Sequence, residues 1–356
     1  MLFEEKYKDA ISFLLEKGNI AISYCTLKNL HDNLDINKIE QTKSELVENE
    51  RAKMLLDCMK NRKEYHGGTV YAVENSLNML VDMGFSYNSG FGEFDEVLDS
   101  IIDDVKNLSY FDSGHVFYIF HKIIMVPFLY RAGVRSEWVR EFIENRITTI
   151  HNFVSNNNYE IYDDIKKYKS IPPAYSGRLV IKPELYQNGN IQFPLEYDIY
   201  GFAEIRNDLD VNLKKKVDDI ISYILDQQFQ SIEDGYGLLY KGEEKYSYIS
   251  MGWDPKTTDL LKEIRYNPLL LKLNQLAHFP RAICSEWFSE AMRTVSGYEK
   301  QDSIYDFPKE YLTEKDSIWI LGNHMSMGEN RRLKQSMTVE GTFWMLNILR
   351  LIENQR

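Results

Sequence analysis

The residues best suited to chemistry lie in a few polar stretches. In Tyr65-His66-Gly67-Gly68-Thr69, His66 is placed as a general base or ligand contact, or as a hydrogen-bonded structural histidine. The glycines let the backbone approach a ligand, and Thr69 is expected to cap the helix that follows. A second stretch, Leu321-Gly-Asn-His-Met-Ser-Met-Gly-Glu-Asn-Arg-Arg332, is polar and bounded by glycine. It sets His324, Glu329 and Arg331 just ahead of the last helix, where an anion or carboxylate could bind. The plainer alternative is that Asn330 caps that helix and the charges are solvated. Glu340 falls between apolar positions, either as an inward-facing acid or on a solvated rim. Tyr197-Asp198-Ile199-Tyr200, Tyr246-Ser247-Tyr248 and Trp253-Asp254 concentrate rings and carboxylates where loops feed into helices. Such groups suit an apolar polyene through ring faces, a sugar through stacking and carboxylates, or ordinary packing.

From these, Asp254 and Glu340 are the expected acids and His66 the expected base. Tyr197, Asp198, Tyr248, Trp253, His324, Glu329 and Arg331 are the expected ligand contacts. An acid turned into a cavity loses solvation, and its pKa rises unless an arginine holds it ionised. No metal or other cofactor is expected. His115 and His121 lie six residues apart, on different faces of one helix, and no Cys/His/Asp set has usable zinc spacing.

Composition narrows the class. The 356 residues are 44% hydrophobic and 27% charged, enough for a large core. With 42 Lys and Arg against 54 Asp and Glu, the net charge of -12 repels a phosphate backbone, so nucleic acid is not an expected partner. Charge in Met1-Leu2-Phe3-Glu4-Glu5-Lys6 argues against export, and Cys25, Cys58 and Cys284 fit reduced core thiols, so a cytoplasmic location is expected. The most apolar window, 115–130, carries His121, Lys122 and Pro127 and is too short to span a membrane; it reads as a buried helix.

Helical spacing of apolar residues recurs almost throughout. Phe94, Val97, Leu98, Ile101, Ile102, Val105 and Leu108 form one stripe, and Trp138, Phe142, Ile143, Ile147, Ile150 and Val154 another. The spacing predicts helices near 3–16, 19–31, 36–62, 69–83, 93–107, 114–132, 136–155, 193–206, 212–229, 255–278, 282–296 and 330–354. The stretch 157–192 is irregular, broken by Pro172-Pro173, Pro183 and an Asn/Gly cluster, and suits a lid or a crossing loop. Mostly apolar helices alternate with half-polar ones. An α/α ring does this, and so does a solenoid of helical hairpins.

The segment Tyr223-Ile-Leu-Asp-Gln-Gln-Phe-Gln-Ser-Ile-Glu-Asp-Gly-Tyr-Gly237 resembles the repeat of the squalene-hopene cyclase and protein prenyltransferase superfamily. There an outer helix ends in Gln and a turn delivers Gly and an aromatic residue. Gly235 and Gly237 permit positive φ, Tyr236 can stack back on the helix end, and Gln227 or Gln228 can bond the turn amides. Leu15–Tyr24, Tyr65–Thr69, Met251–Lys256 and Gly328–Arg332 resemble a bacterial group within that superfamily that carries no assigned activity. The resemblance implies one all-α domain over 1–356, an α/α toroid of about six helical hairpins around a central cavity. The superfamily's catalytic signatures are missing. Asp208-Leu209-Asp210-Val211 lacks the last acid of DxDD, and Asp103-Asp104, Asp163-Asp164 and Asp218-Asp219 each lack the final Asp of DDxxD. The expectation is therefore a toroid that binds a small apolar or amphipathic molecule. The alternatives are a carbohydrate-active hydrolase or lyase ring using acids from Asp198, Asp254 and Glu340, and a non-enzymatic scaffold that grips a protein.

Overall fold

A computed structural model describes residues 2–62, 64–108, 117–186, 191–232, 236–249, 268–312, 325–333 and 335–355. Helices dominate, as expected of an all-α chain, and the strands among the described residues are two short antiparallel hairpins. None of these helices is long and apolar enough to cross a membrane. The chain divides into two compact units, Met1–Ile101 with Thr257–Arg356, and Ile102–Lys256.

In the first unit, Glu50–Lys60 packs on Val73–Asp82, and Leu269–Leu276 packs on both Glu286–Ser296 and Ser336–Asn354. In the second, Phe117–Arg131 packs on Glu196–Ile205, and Glu137–Val154 on Val211–Ile224. Two kinds of helix recur. Val73–Asp82, Glu196–Ile205 and Leu269–Leu276 are buried nearly all round, and so is Phe117–Arg131 from Ile123 to Tyr130. Glu93–Asn107, Glu137–Val154, Val211–Ile224 and Glu286–Ser296 bury a single stripe. Phe94, Val97, Leu98, Ile101 and Val105 are the buried stripe of Glu93–Asn107, at the positions their periodicity predicts.

Several boundaries differ from the periodic reading. The run 36–62 is two helices, because Asn49 breaks it and its side chain accepts from the Arg51 and Ala52 amides to start the second. Thr69 is not a cap: the helix begins at Val73, after Ala72. Nor does Asn330 cap the last helix, which begins at Ser336; its carbonyl accepts from Leu333 N–H and Ser336 Oγ. Cys25 and Cys58 are buried as expected, but Cys284 is exposed at the end of the short helix Pro280–Ile283.

The irregular stretch is pinned in place. Tyr162 bridges to Ile181, and Val180 bridges to Leu238 of the hairpin Gly237–Tyr240/Tyr246–Ile249. Tyr236 is buried, takes φ +69° and packs its ring on Phe229 of the short helix before it, 6.2 Å between centroids. A side chain at Gly237 would lie 2.4 Å from the Leu179 carbonyl, so this turn requires glycine. Asp210, the nearest match to a cyclase acid, caps Val211–Ile224.

Candidate functional site

In the first unit the Ser336–Asn354 helix carries Glu340, which is wholly buried. The next residue is Gly341 because the chain passes so close: a Cβ there would stand 2.8 Å from the Phe307 ring. Thr342 Oγ1 accepts from the Tyr305 amide at 3.0 Å and fixes the helix on the other side of that contact.

Glu340 organises the loop before its own helix. Its Oε1 accepts from the Met327 amide at 2.7 Å and the Glu329 amide at 3.2 Å, and Arg331 forms an ion pair with Oε2. Glu329 reaches the opposite way and accepts from the Asn19 amide at 2.6 Å. Asn19 closes the network: its Nδ2 donates to the Met327 carbonyl at 2.9 Å, and its Oδ1 accepts from Ile22 N–H at the start of Ile20–Asn29. Three of the predicted residues, Glu329, Arg331 and Glu340, therefore share one site.

Its electrostatics are unbalanced. Burial pushes Glu340 up to about 8, against the pull of Arg331 and the two amides. Burial likewise raises Glu329, opposed by the Asn19 amide and Arg331. Among the described residues two carboxylates face one guanidinium, and Glu340 lies wholly out of water. Met325 and Met327 are buried beside the site, and Arg331 also lies against Met337, so its walls are apolar and deformable. One turn along the same helix face, Trp344 is buried and its indole N–H has no acceptor among the described residues.

His66 stands in a second arrangement of the same unit. Its Nδ1 lies 2.6 Å from Oε1 of Glu74, a carboxylate with no exposed surface, and that oxygen also accepts from Gly67 N–H at 3.0 Å. Burial works against charge on the imidazole, but the Glu74 hydrogen bond and the charges of Glu74 and Glu64 outweigh it and raise the pKa above the ordinary histidine value.

The other predicted residues lie elsewhere. In the second unit Tyr197 is wholly buried, edge-on to Phe128, and Asp198 is held in a bidentate pair by Arg146, Nε–Oδ1 2.9 Å and Nη2–Oδ2 2.8 Å. Tyr248 lies on the hairpin beneath the Arg178 guanidinium, 4.8 Å from the ring centroid. Trp253, Asp254 and His324 lie outside the described residues.

Glu74, Asn19, Trp344 and Arg146 belong to these sites although sequence reasoning did not select them. Arg146 left a trace: it occupies an apolar-stripe position, three after Ile143 and four after Phe142, where a charge must be buried and paired. Glu74 left none, since Glu74-Asn75-Ser76 reads as a solvated helix start. Comparison of the chain with family models, curated proteins and solved structures returns no match.

Proposed function

We propose that this chain is an α/α toroid of the cyclase and prenyltransferase kind, and that it binds a small amphipathic ligand bearing a hydroxyl head at the Glu340 site. The alternation of helices buried all round with helices buried on one stripe supports the ring. The reading rests above all on one observation: a wholly buried acid and a buried indole N–H with no acceptor among the described residues occupy one face of the Ser336–Asn354 helix. A hydroxyl can donate to the first and accept from the second. Among the described residues one guanidinium already meets two acids, which disfavours phosphate or diphosphate, and the methionines beside it suit an aliphatic tail.

Geraniol, geranylamine and geranyl phosphate share one tail and differ in the head, so melting curves with each test the reading. Geraniol should raise the melting temperature of the wild-type chain most, and Trp344→Phe, which removes the N–H and keeps an aromatic ring, should abolish most of that rise. A rise with geranyl phosphate equal to that with geraniol, or an undiminished geraniol effect in Trp344→Phe, refutes it.

A further inference from the structure

We propose, on the reading that Glu340 binds a ligand head, that residues 325–329 form a lid over that site, latched at the rim by Asn19 and Glu329 and hinged at Asn330, and that the ligand enters when the lid lifts.

A sealed site needs a way in. Glu340 has no exposed surface and Trp344 is 3% exposed, so a ligand reaches neither unless some neighbouring element moves. Most of those neighbours are regular structure. The Ser336–Asn354 helix packs against the helices Ile20–Asn29 and Leu269–Leu276 and against the strand Ile304–Tyr305. Helices and paired strands carry their own backbone hydrogen bonds and open only by breaking several together. The stretch 325–329 is different. Among the described residues its backbone makes no hydrogen bond to another backbone group, and side chains alone hold it.

Those side chains grip it from two directions. From within, Glu340 Oε1 accepts from the Met327 and Glu329 amides at 2.7 and 3.2 Å. From the rim, the half-buried Asn19 donates its Nδ2 to the Met327 carbonyl at 2.9 Å and its backbone N–H to the Glu329 carboxylate at 2.6 Å. Arg331 Nη2 adds a longer contact to the Met325 carbonyl, 3.5 Å. Gly328 turns the chain between the two grips with φ +80°, and its N–H donates to Ser326 Oγ at 3.3 Å, a bond internal to the loop that lifting leaves intact. Asn330 is exposed, but its carbonyl is anchored by Leu333 N–H and Ser336 Oγ at the start of the helix, which gives the loop a fixed pivot. Rotation about that pivot breaks the Asn19 contacts, uncovers Glu340 and carries Met325 and Met327, neither with any exposed surface, out of the core.

Peroxide oxidation of methionine, followed residue by residue by peptide mass spectrometry, reads that movement on the intact chain without ligand. Met345 is the internal control, because it is equally buried but lies on the Ser336–Asn354 helix and is reached only when that helix leaves the core. Met325 and Met327 should oxidise faster than Met345 by about tenfold or more, and a smaller ratio overturns the lid. Glu329→Ala, which removes the latch carboxylate and keeps Glu340, should raise the ratio of the Met327 rate to the Met345 rate by about threefold or more, and a smaller rise overturns the latch. The ligand reading fails separately. Rapid Met327 oxidation in a chain whose melting temperature geraniol does not raise upholds the lid and refutes the choice of ligand. A melting temperature raised by geraniol with no slowing of Met327 oxidation means that the ligand does not lie beneath this loop, and overturns the lid.

Discussion

Two buried arginine–carboxylate pairs, one in each unit, have opposite characters. Arg146–Asp198 is saturated. The guanidinium meets both carboxylate oxygens and turns two further hydrogens to the Ile191 and Phe193 carbonyls, while Asp198 Oδ2 also accepts from Leu195 N–H. Arg331–Glu340 is unsaturated in charge: among the described residues one cation serves Glu340 and Glu329, and burial raises both acids. The first pair fastens the end of the irregular stretch to the Glu137–Val154 helix. In the second, burial raises both acids, so that Glu340 keeps its proton to higher pH. Burial alone therefore does not mark an acid as functional; what separates the two is whether its neighbours complete its charge.

Breaking the saturated pair should have the largest effect. Arg146→Met leaves Asp198 buried without a cation and two carbonyls without donors, and should cost about 3–5 kcal/mol in urea unfolding. Replacing both partners, as in Arg146→Met with Asp198→Leu, removes the stranded charge and should recover much of that loss. Equal instability of the single and double variants would mean that the pair contributes through its carbonyl contacts and not through its charge.

The unsaturated pair should show itself through pH. An acid raised in the folded state keeps its proton where the unfolded chain has lost it. Its contribution is thus full below the unfolded value of about 4.5 and is lost as pH rises through about 8. Wild-type stability should fall across that window, and Glu340→Gln, which cannot ionise, should flatten most of that fall. His66, also raised, acts in the same direction: its contribution is present below its unfolded value and lost as pH passes its folded one, so a smaller slope should persist in Glu340→Gln. A slope identical in the wild type and Glu340→Gln would place the stored proton elsewhere.

The sequence carries the skeleton of this contrast more clearly than its chemistry. The Phe94–Val105 stripe and the buried 123–130 stretch follow from apolar spacing, because burial of one face or of all faces leaves different periodic marks. The Glu329–Arg331–Glu340 cluster was partly legible, since an unusual polar loop meets an acid set among apolar neighbours. Glu74, Asn75 and Ser76 were not, because three polar residues at a helix start look solvated until a loop folds over them. The hairpin Gly237–Tyr240/Tyr246–Ile249 escaped for a different reason: four residues per strand are too few for a period of two to stand out, and its pairing through Val180 is set by residues far away in the chain.

The smallest effect belongs to a third pair of the same chemistry. Arg140 and Glu144 stand four residues apart on the outer side of Glu137–Val154, with Nε–Oε1 2.6 Å, a shorter contact than either hydrogen bond of the Arg146–Asp198 pair. Yet 48% of the arginine side chain is exposed, so water replaces the lost partner and screens the charge that remains. Arg140→Gln should therefore leave the urea midpoint within error of the wild type, although it removes a guanidinium from the same helix as Arg146→Met. Distance favours Arg140 as the stronger tie, whereas desolvation favours Arg146. Measured side by side, the two variants decide between those accounts: a loss in Arg140→Gln approaching that of Arg146→Met would show that burial does not set the value of these pairs, and the distinction between the saturated and the unsaturated site would lose its physical basis.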